Sequence, residues 1–234
     1  MPGSETSYDA WNGVAHRLRE LGHTCCIQGV DEISWGNGLD AGLRVFADTI
    51  GLAEDTVLVG HSVAGLFLPS VGRLLNAASE IYVAALIPQP GKTILDRLLM
   101  GEEMFFQSWA EEYAQMRRSV HPLVTHRSYL EWHLFHDCPS GTVDRYWINS
   151  ALPLREIYET LFAPPDLTER CQFIVCMEDR TLTPASQRPN AELFPFGRMY
   201  EIATGHCPHL AAPTELAHLF ASLIEIVHCE NNAY

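Results

Sequence analysis

The sequence predicts an α/β protein with a mostly parallel sheet and helices on both faces, and three observations lead there. Short, largely apolar runs at 56–59, 81–87 and 171–177 read as strands buried on both sides, as parallel sheets bury theirs. Between and around them, apolar residues recur at helical spacing. The 234 residues are 47% hydrophobic and 19% charged, the composition of a single folded domain and not of a disordered or collagen-like chain.

Taken in order, Trp11, Val14, Ala15, Leu18 and Leu21 share one face of a helix over 8–21, with Ser7 or Asp9 to cap it and Gly22 to stop it. The apolar run 24–27 predicts a short strand. A loop rich in Gly and Asp leads to a second helix with Leu39, Leu43, Phe46, Ala47 and Ile50 on one side and Gly51 after it. The strands at 56–59 and 81–87 follow. The next stretch changes character: Met100, Met104, Phe105, Phe106, Trp109, Tyr113, Met116, Trp132, Phe135, Tyr146 and Trp147 stand among helix-forming residues and predict an all-helical insertion. Alternation then returns, with a strand at 171–177, a helix near 184–191, a strand near 198–202 and a last helix bearing Leu216, Leu219, Phe220, Leu223, Ile224 and Val227. The expected division is a core of 1–88 and 168–234 and a helical cap of 89–167.

Charge narrows the classes of partner. Fifteen Lys and Arg against 29 Asp and Glu give a net charge of −14, which repels nucleic acid and anionic lipid and leaves small neutral or cationic ligands. Residues 1–7 are polar and carry no leader pattern, and the longest nearly apolar stretch, 57–72, is broken by His61 and Ser62 and falls short of the ~20 residues of a membrane span. The expectation is a soluble protein. Seven cysteines, at 25, 26, 138, 171, 176, 207 and 229, are odd in number and lack C-x-x-C spacing, which fits buried thiols in a reducing cytoplasm.

Gly60-His61-Ser62-Val63-Ala64-Gly65 lies where a buried strand runs into a helix. A serine on such a turn has its hydroxyl exposed, and the residues two before and two after it must be small because strand and helix cross closely. Gly60 and Ala64 meet that need, with Ala64 where the usual pattern has glycine and Gly65 one place later. The plain alternative is a glycine-rich turn with an incidental serine. A serine hydroxyl attacks only when a base takes its proton, so the functional reading requires a later carboxylate and a later histidine. Glu178-Asp179 follows the strand at 171–177, and His206 lies in Thr204-Gly205-His206-Cys207-Pro208-His209, just after the strand near 198–202. Ser62, Asp179 and His206 thus fall in the order that hydrolases on parallel sheets use. Asp179 could equally be a turn residue or a partner of Arg180, and Glu178 competes with it.

Further stretches extend the pattern. They are Trp11 to Gly22 with His23, in the form W-x-x-V-x-x-x-L-x-x-x-G-H; Leu58-Val59 before the serine motif; Tyr82-Val83-Ala84-Ala85-Leu86-Ile87-Pro88; Phe135-His136-Asp137-Cys138; Met177-Glu178-Asp179-Arg180-Thr181; and Gly205 to Leu210. Over nearly its whole length the chain resembles the α/β-hydrolase superfamily, in the branch of plant methylesterases, hydroxynitrile lyases and related bacterial esterases. The resemblance implies that Ser62 is the nucleophile, His206 the base and Asp179 the acid, and it implies no cofactor. It places two backbone donors to the oxyanion at Val63 and at Ser4 or Glu5. The family's first strand is apolar and ends in His-Gly or Pro-Gly; here only Met1 precedes Pro2-Gly3-Ser4, so that strand is expected to be missing, with a homodimer as one outcome of the open edge.

His61 beside the nucleophile, and Trp109, Trp132 and His136 of the cap, are the candidate substrate contacts. His121, His126, His133 and His136, with Asp137 and Cys138, are spaced poorly for a tetrahedral zinc site, and no metal is expected. The expected activity is hydrolysis of an ester, thioester or lactone of a small, largely apolar molecule by a Ser-His-Asp triad. The alternatives are a lyase, decarboxylase or cyclase using the same three residues as an acid/base set, and a ligand-binding receptor on the same fold.

Overall fold

The computed structural model describes residues 1–4, 6–51, 55–107, 127–148, 153–166, 170–195 and 198–231. Helices α1 (Asn12–Glu20) and α2 (Leu39–Ile50) precede strand β1 (Val57–His61), and α3 (Leu68–Leu75) joins it to β2 (Ser79–Val83). Helices α4 (Ile94–Leu99), α5 (Arg127–His133), α6 (Thr142–Tyr146) and α7 (Leu154–Glu159) lie between β2 and β3 (Cys171–Cys176). Helix α8 (Pro184–Ala191) leads to β4 (Met199–Ile202), and α9 (Pro208–Ala211) and α10 (Pro213–Asn231) follow.

Among the described residues the four strands pair in parallel in the order β1-β2-β3-β4. Their register sets His61 beside Val83 and Cys176 beside Ile202, so the carboxyl ends gather along one edge of the sheet. Alternation along each strand sorts its side chains into two layers. Leu58, Tyr82, Phe173 and Val175 pack with Leu43 and Phe46 of α2 and Leu68, Val71 and Leu75 of α3. Ile81, Val83, Ile174 and Cys176 face the other way, onto Trp11, Val14 of α1 and Leu216, Phe220 and Leu223 of α10. Each Leu or Phe so buried contributes roughly 1.5–3 kcal/mol, which is why the sheet edge is a firm base for a site. No helix among the described residues is long and apolar enough to cross a membrane.

Three expected elements change form. The helix over 8–21 opens as a 3-10 turn, Tyr8–Trp11, before α1 begins; Ser7 precedes that turn without a side-chain cap bond. The strand expected at 81–87 leaves the sheet after Val83, because Ala84 takes φ +41° and the Leu86 N–H turns to the Ser62 carbonyl at 3.0 Å. Arg97, 1% exposed, fixes this departure by donating to the Ile87 carbonyl at 2.8 Å while pairing with Glu102. The strand expected at 24–27 is not one. A strand requires a neighbour to ladder with, and among the described residues 24–27 pair with no strand; Met1 lies against β1, its amino group donating to Val59 O at 2.5 Å and its carbonyl accepting from His61 N at 3.1 Å. Thr24 and Cys26 are accordingly exposed, with Cys25 and Ile27 half-buried.

Candidate active site

At the end of β1 the chain turns at Ser62 with φ +56°, a left-handed conformation that few residues other than glycine adopt. Close packing on both sides holds it there. A Cβ on Gly60 would lie 2.7 Å from Leu68 Cδ1, and one on Gly65 would lie 2.4 Å from the Leu86 carbonyl oxygen. Ser62 opens the 3-10 turn Ser62–Leu66, and Ala64 within it is fully buried. Ala64 therefore fits as a small residue, while the backbone approach that demands glycine falls one place later, at Gly65.

The turn carries Ser62 Oγ to His206. The hydroxyl donates to His206 Nε2 at 3.0 Å, and His206 Nδ1–H donates to Asp179 Oδ2 at 2.7 Å. A carboxylate only accepts, so its bond to Nδ1 fixes the imidazole tautomer and leaves Nε2 free to take a proton. Asp179 and His206 are both buried. Asp179 Oδ1 accepts from the backbone N–H groups of Thr181 at 2.7 Å and Leu182 at 3.0 Å, and Oδ2 also accepts from Gln187 Nε2 at 2.9 Å. Glu178 is exposed, and its backbone bonds to Thr204 O and to His136, so between the two adjacent acids it is Asp179 that reaches the imidazole.

The loops bearing these residues are fastened from elsewhere in the chain. Asp137 Oδ2 accepts from Gly205 N at 2.6 Å, and Gly205 has no room for a side chain, since a Cβ would lie 2.6 Å from both Asp137 Oδ1 and His136 Nε2. His136 Nε2–H donates to the Glu178 carbonyl at 3.0 Å, and His133 Nδ1–H to the Arg180 carbonyl at 2.6 Å. His61 Nε2–H donates to the His206 carbonyl at 2.7 Å. Burial pushes the imidazoles of His61, His133 and His209 down, His209 to about 3. Burial pushes the thiols of Cys176 and Cys207 well up. These neighbours are neutral around pH 7.

Ser62 and His206 open on a small cavity whose walls are Gly3, Ser4, Thr6, His61, Leu134, Thr181 and Cys207. The backbone at Gly3 passes so near the turn at Ser62 that a Cβ there would lie 3.0 Å from Ser62 Cβ, which brings Ser4 to the mouth of the site. Val63 is buried beneath it. Of the expected substrate contacts, His61 is part of the wall but spends its Nε2 on His206, and His136 is occupied with Glu178 away from the cavity. Trp132 is 43% exposed, packed on Phe106 with the Arg180 guanidinium over its ring, and does not line the cavity. Glu5, Trp109, His121 and His126 lie outside the described residues. Gln187 and the clamping role of Asp137 are not evident in the sequence motifs; the signal for Gln187 is an amide on the buried face of a helix.

Comparison with known proteins bears on the fold. The model of the alpha/beta hydrolase family matches residues 7–219. No curated protein matches the chain by sequence. Among solved structures it is similar to a pyrethroid hydrolase from Sphingobium faniae, at 18% identity over 95% of this chain and 94% of that one with a TM-score of 0.69. It is similar to tomato methylketone synthase I complexed with 2-tridecanone, at 16% identity over 94% of each chain and a TM-score of 0.67. An extracellular α/β-hydrolase from a Paenibacillus species, said to share structural and functional homology with tobacco salicylic acid binding protein 2, has 18% identity over 93% of this chain and 94% of its own, with a TM-score of 0.59. At these identities the likeness to each is one of fold. By the match that runs through most of its length, the chain belongs to the alpha/beta hydrolase family and is an enzyme of that family.

Proposed function

We propose that the protein is a carboxylic ester hydrolase of the serine type, acting on a small, uncharged, largely apolar ester. The observation that carries this reading is the hydrogen-bonded series from Ser62 through His206 to Asp179, with Ser62 on a left-handed turn facing the cavity. Ser62 Oγ attacks the acyl carbon as its proton passes to His206 Nε2, and Asp179 stabilises the imidazolium. The bond to the alcohol oxygen then breaks as His206 returns the proton to it. Water, deprotonated by the same nitrogen, attacks the acyl-serine and releases the acid. The N–H groups of Val63 and Ser4 are assigned to the oxyanion, where one donor contributes roughly 10²–10³ in rate. Leu134, Cys207, Thr6 and Thr181 set the character of the pocket, and among the described residues no carboxylate, ammonium or guanidinium lines it. Leu134 comes from 89–167, which supports reading that segment as a cap over a core of 1–88 and 168–234. The buried thiols Cys171, Cys176 and Cys207 support a reducing, cytoplasmic setting.

The test is paired. The wild-type protein should hydrolyse p-nitrophenyl acetate and become labelled at Ser62 by a fluorophosphonate, and Ser62→Ala should lose both while keeping its thermal midpoint. Turnover retained by folded Ser62→Ala removes the nucleophile assignment.

A further inference from the structure

Gln187 stands on α8, 1% exposed, and every hydrogen-bonding group of its amide is committed. Its Oε1 accepts from Cys176 N at 3.0 Å; its Nε2 donates to Leu182 O at 2.6 Å and to Asp179 Oδ2 at 2.9 Å. Only one orientation of the amide is compatible with these partners, because a backbone N–H cannot accept and a carbonyl or carboxylate cannot donate. One side chain thus ties together the end of β3, the loop after Asp179 and the oxygen to which His206 is bonded. Two backbone amides hold Asp179 Oδ1; on Oδ2, the donors are Gln187 and His206.

We propose that Gln187 is a positioning residue for the reaction: it occupies one lone-pair direction of Asp179 Oδ2 and aims the other at His206 Nδ1. The proposal rests on the reading of Ser62, His206 and Asp179 as the reacting set. Removing the donor lets the carboxylate rotate about the axis held at Oδ1 and makes it a stronger base. Replacing the donor by an acid does more, because an ionised carboxylate at 187 adds a negative charge beside Asp179 that favours the protonated imidazole. His206 then gives up its proton only at higher pH. Other titratable and charged groups around this set are His61 from β1, His133 from α5, His209 from α9, and Cys176 and Cys207, with the Asp137 carboxylate on Gly205 N and the Arg180 guanidinium beside Trp132. The three histidines are shifted down and the two thiols up.

The experiment is an NMR titration of the His206 imidazole, assigned by loss of its signal in His206→Asn, in the wild-type protein and in Gln187→Glu. The expected result is an upward shift of the His206 midpoint by about one pH unit or more, matched by an equal shift of the acid limb of kcat/KM for p-nitrophenyl acetate. A purely structural role for Gln187 lowers stability or activity at every pH and leaves the midpoint in place, and an unmoved midpoint in folded Gln187→Glu overturns the proposal. If that variant does not fold, Gln187→Met is read by the same titration: a smaller upward shift supports the proposal, and none overturns it. Fluorophosphonate labelling of Ser62 in the same samples reports on the nucleophile alone. A moved midpoint without labelling fails the hydrolase reading and keeps the Gln187 geometry, and labelling with an unmoved midpoint does the reverse.

Discussion

His209 offers the sharpest test of the physics under the site. It lies flat on Trp11, ring centroids 4.2 Å apart and planes 7° from parallel, 1% exposed. Neither ring nitrogen has a hydrogen-bond partner among the described residues. A proton added there creates a buried cation beside His206 with nothing to compensate it, and burial holds the group at about 3 against an ordinary 6.5. The unfolded chain takes up that proton near 6.5 and the folded chain only near 3, so between those values the unfolded state binds more protons and stability rises with pH. The contribution is fully present above the unfolded value and is lost as pH falls through the window toward the folded one. At about 1.4 kcal/mol per unit, lowering the pH from about 7 to about 5 costs roughly 2 kcal/mol for this histidine, a sizeable part of an ordinary stability of about 5–15 kcal/mol.

His209→Phe keeps the stacked ring and removes the titration. The variant is expected to be at least as stable as the wild type at neutral pH, because an unpaired buried N–H is gone. Between pH ~7 and ~5 it should lose about 2 kcal/mol less than the wild type in urea unfolding followed by far-ultraviolet circular dichroism. Carboxylates and the other buried histidines titrate in both proteins and cancel in the difference. Parallel loss of stability in the two proteins over that range would refute the claim that His209 is held neutral by burial.

Asp179→Asn should lower kcat/KM by up to ~10⁴ by spoiling the imidazole tautomer, whereas Glu178→Gln, at an exposed position, should stay near wild type; the opposite ranking on p-nitrophenyl acetate would move the acid to Glu178. Asp137→Ala releases Gly205 N and should reduce kcat about tenfold to a hundredfold with little change in KM, while Asp137→Asn, which keeps an accepting oxygen, should recover most of it; equal kcat for Ala and wild type removes the clamp. Gly65→Ala drives a methyl to within 2.4 Å of the Leu86 carbonyl and should destabilise the protein by about 1–3 kcal/mol or more, seen as a lower thermal midpoint; an unchanged midpoint means the turn is looser than its geometry.

The sheet is legible in the sequence wherever burial on both faces writes itself as a largely apolar run, as in β3, whose every residue, Gln172 included, is buried. The run 24–27 looks the same yet forms no strand, because composition records what a side chain prefers and not whether a neighbouring strand is there to share its backbone bonds. The early end of β2 is equally silent, since alanine gives no sign that Ala84 will adopt φ +41°. Helical periodicity over 8–21 marks Trp11, Val14 and Ala15 as buried, but Leu21 is 45% exposed past the end of α1, and the pattern cannot register that the first turn is 3-10.

Ser62, Asp179 and His206 can be found without coordinates because each closely follows a strand of a parallel sheet, and parallel register brings the carboxyl ends of such strands to one edge. The residues that hold them obey a different logic. Asp137, His136 and His61 act on a backbone N–H or carbonyl, and every residue in the chain offers those groups, so no pairing of residue types announces the contact. That is why the sequence suggests His136 and His61 only as substrate contacts, while the structure also shows their ring nitrogens bonded to the Glu178 and His206 carbonyls. Gln187 is the exception that could have been caught. It shares the buried face of α8 with Asn190 and Ala191, a spacing that places an amide in the core, and a buried amide must find partners for two N–H groups and one oxygen. With β3 and a strand-end carboxylate as its nearest sequence neighbours, the supply of acceptors for that amide is short, and Asp179 is the one among them whose charge makes the bond strongest.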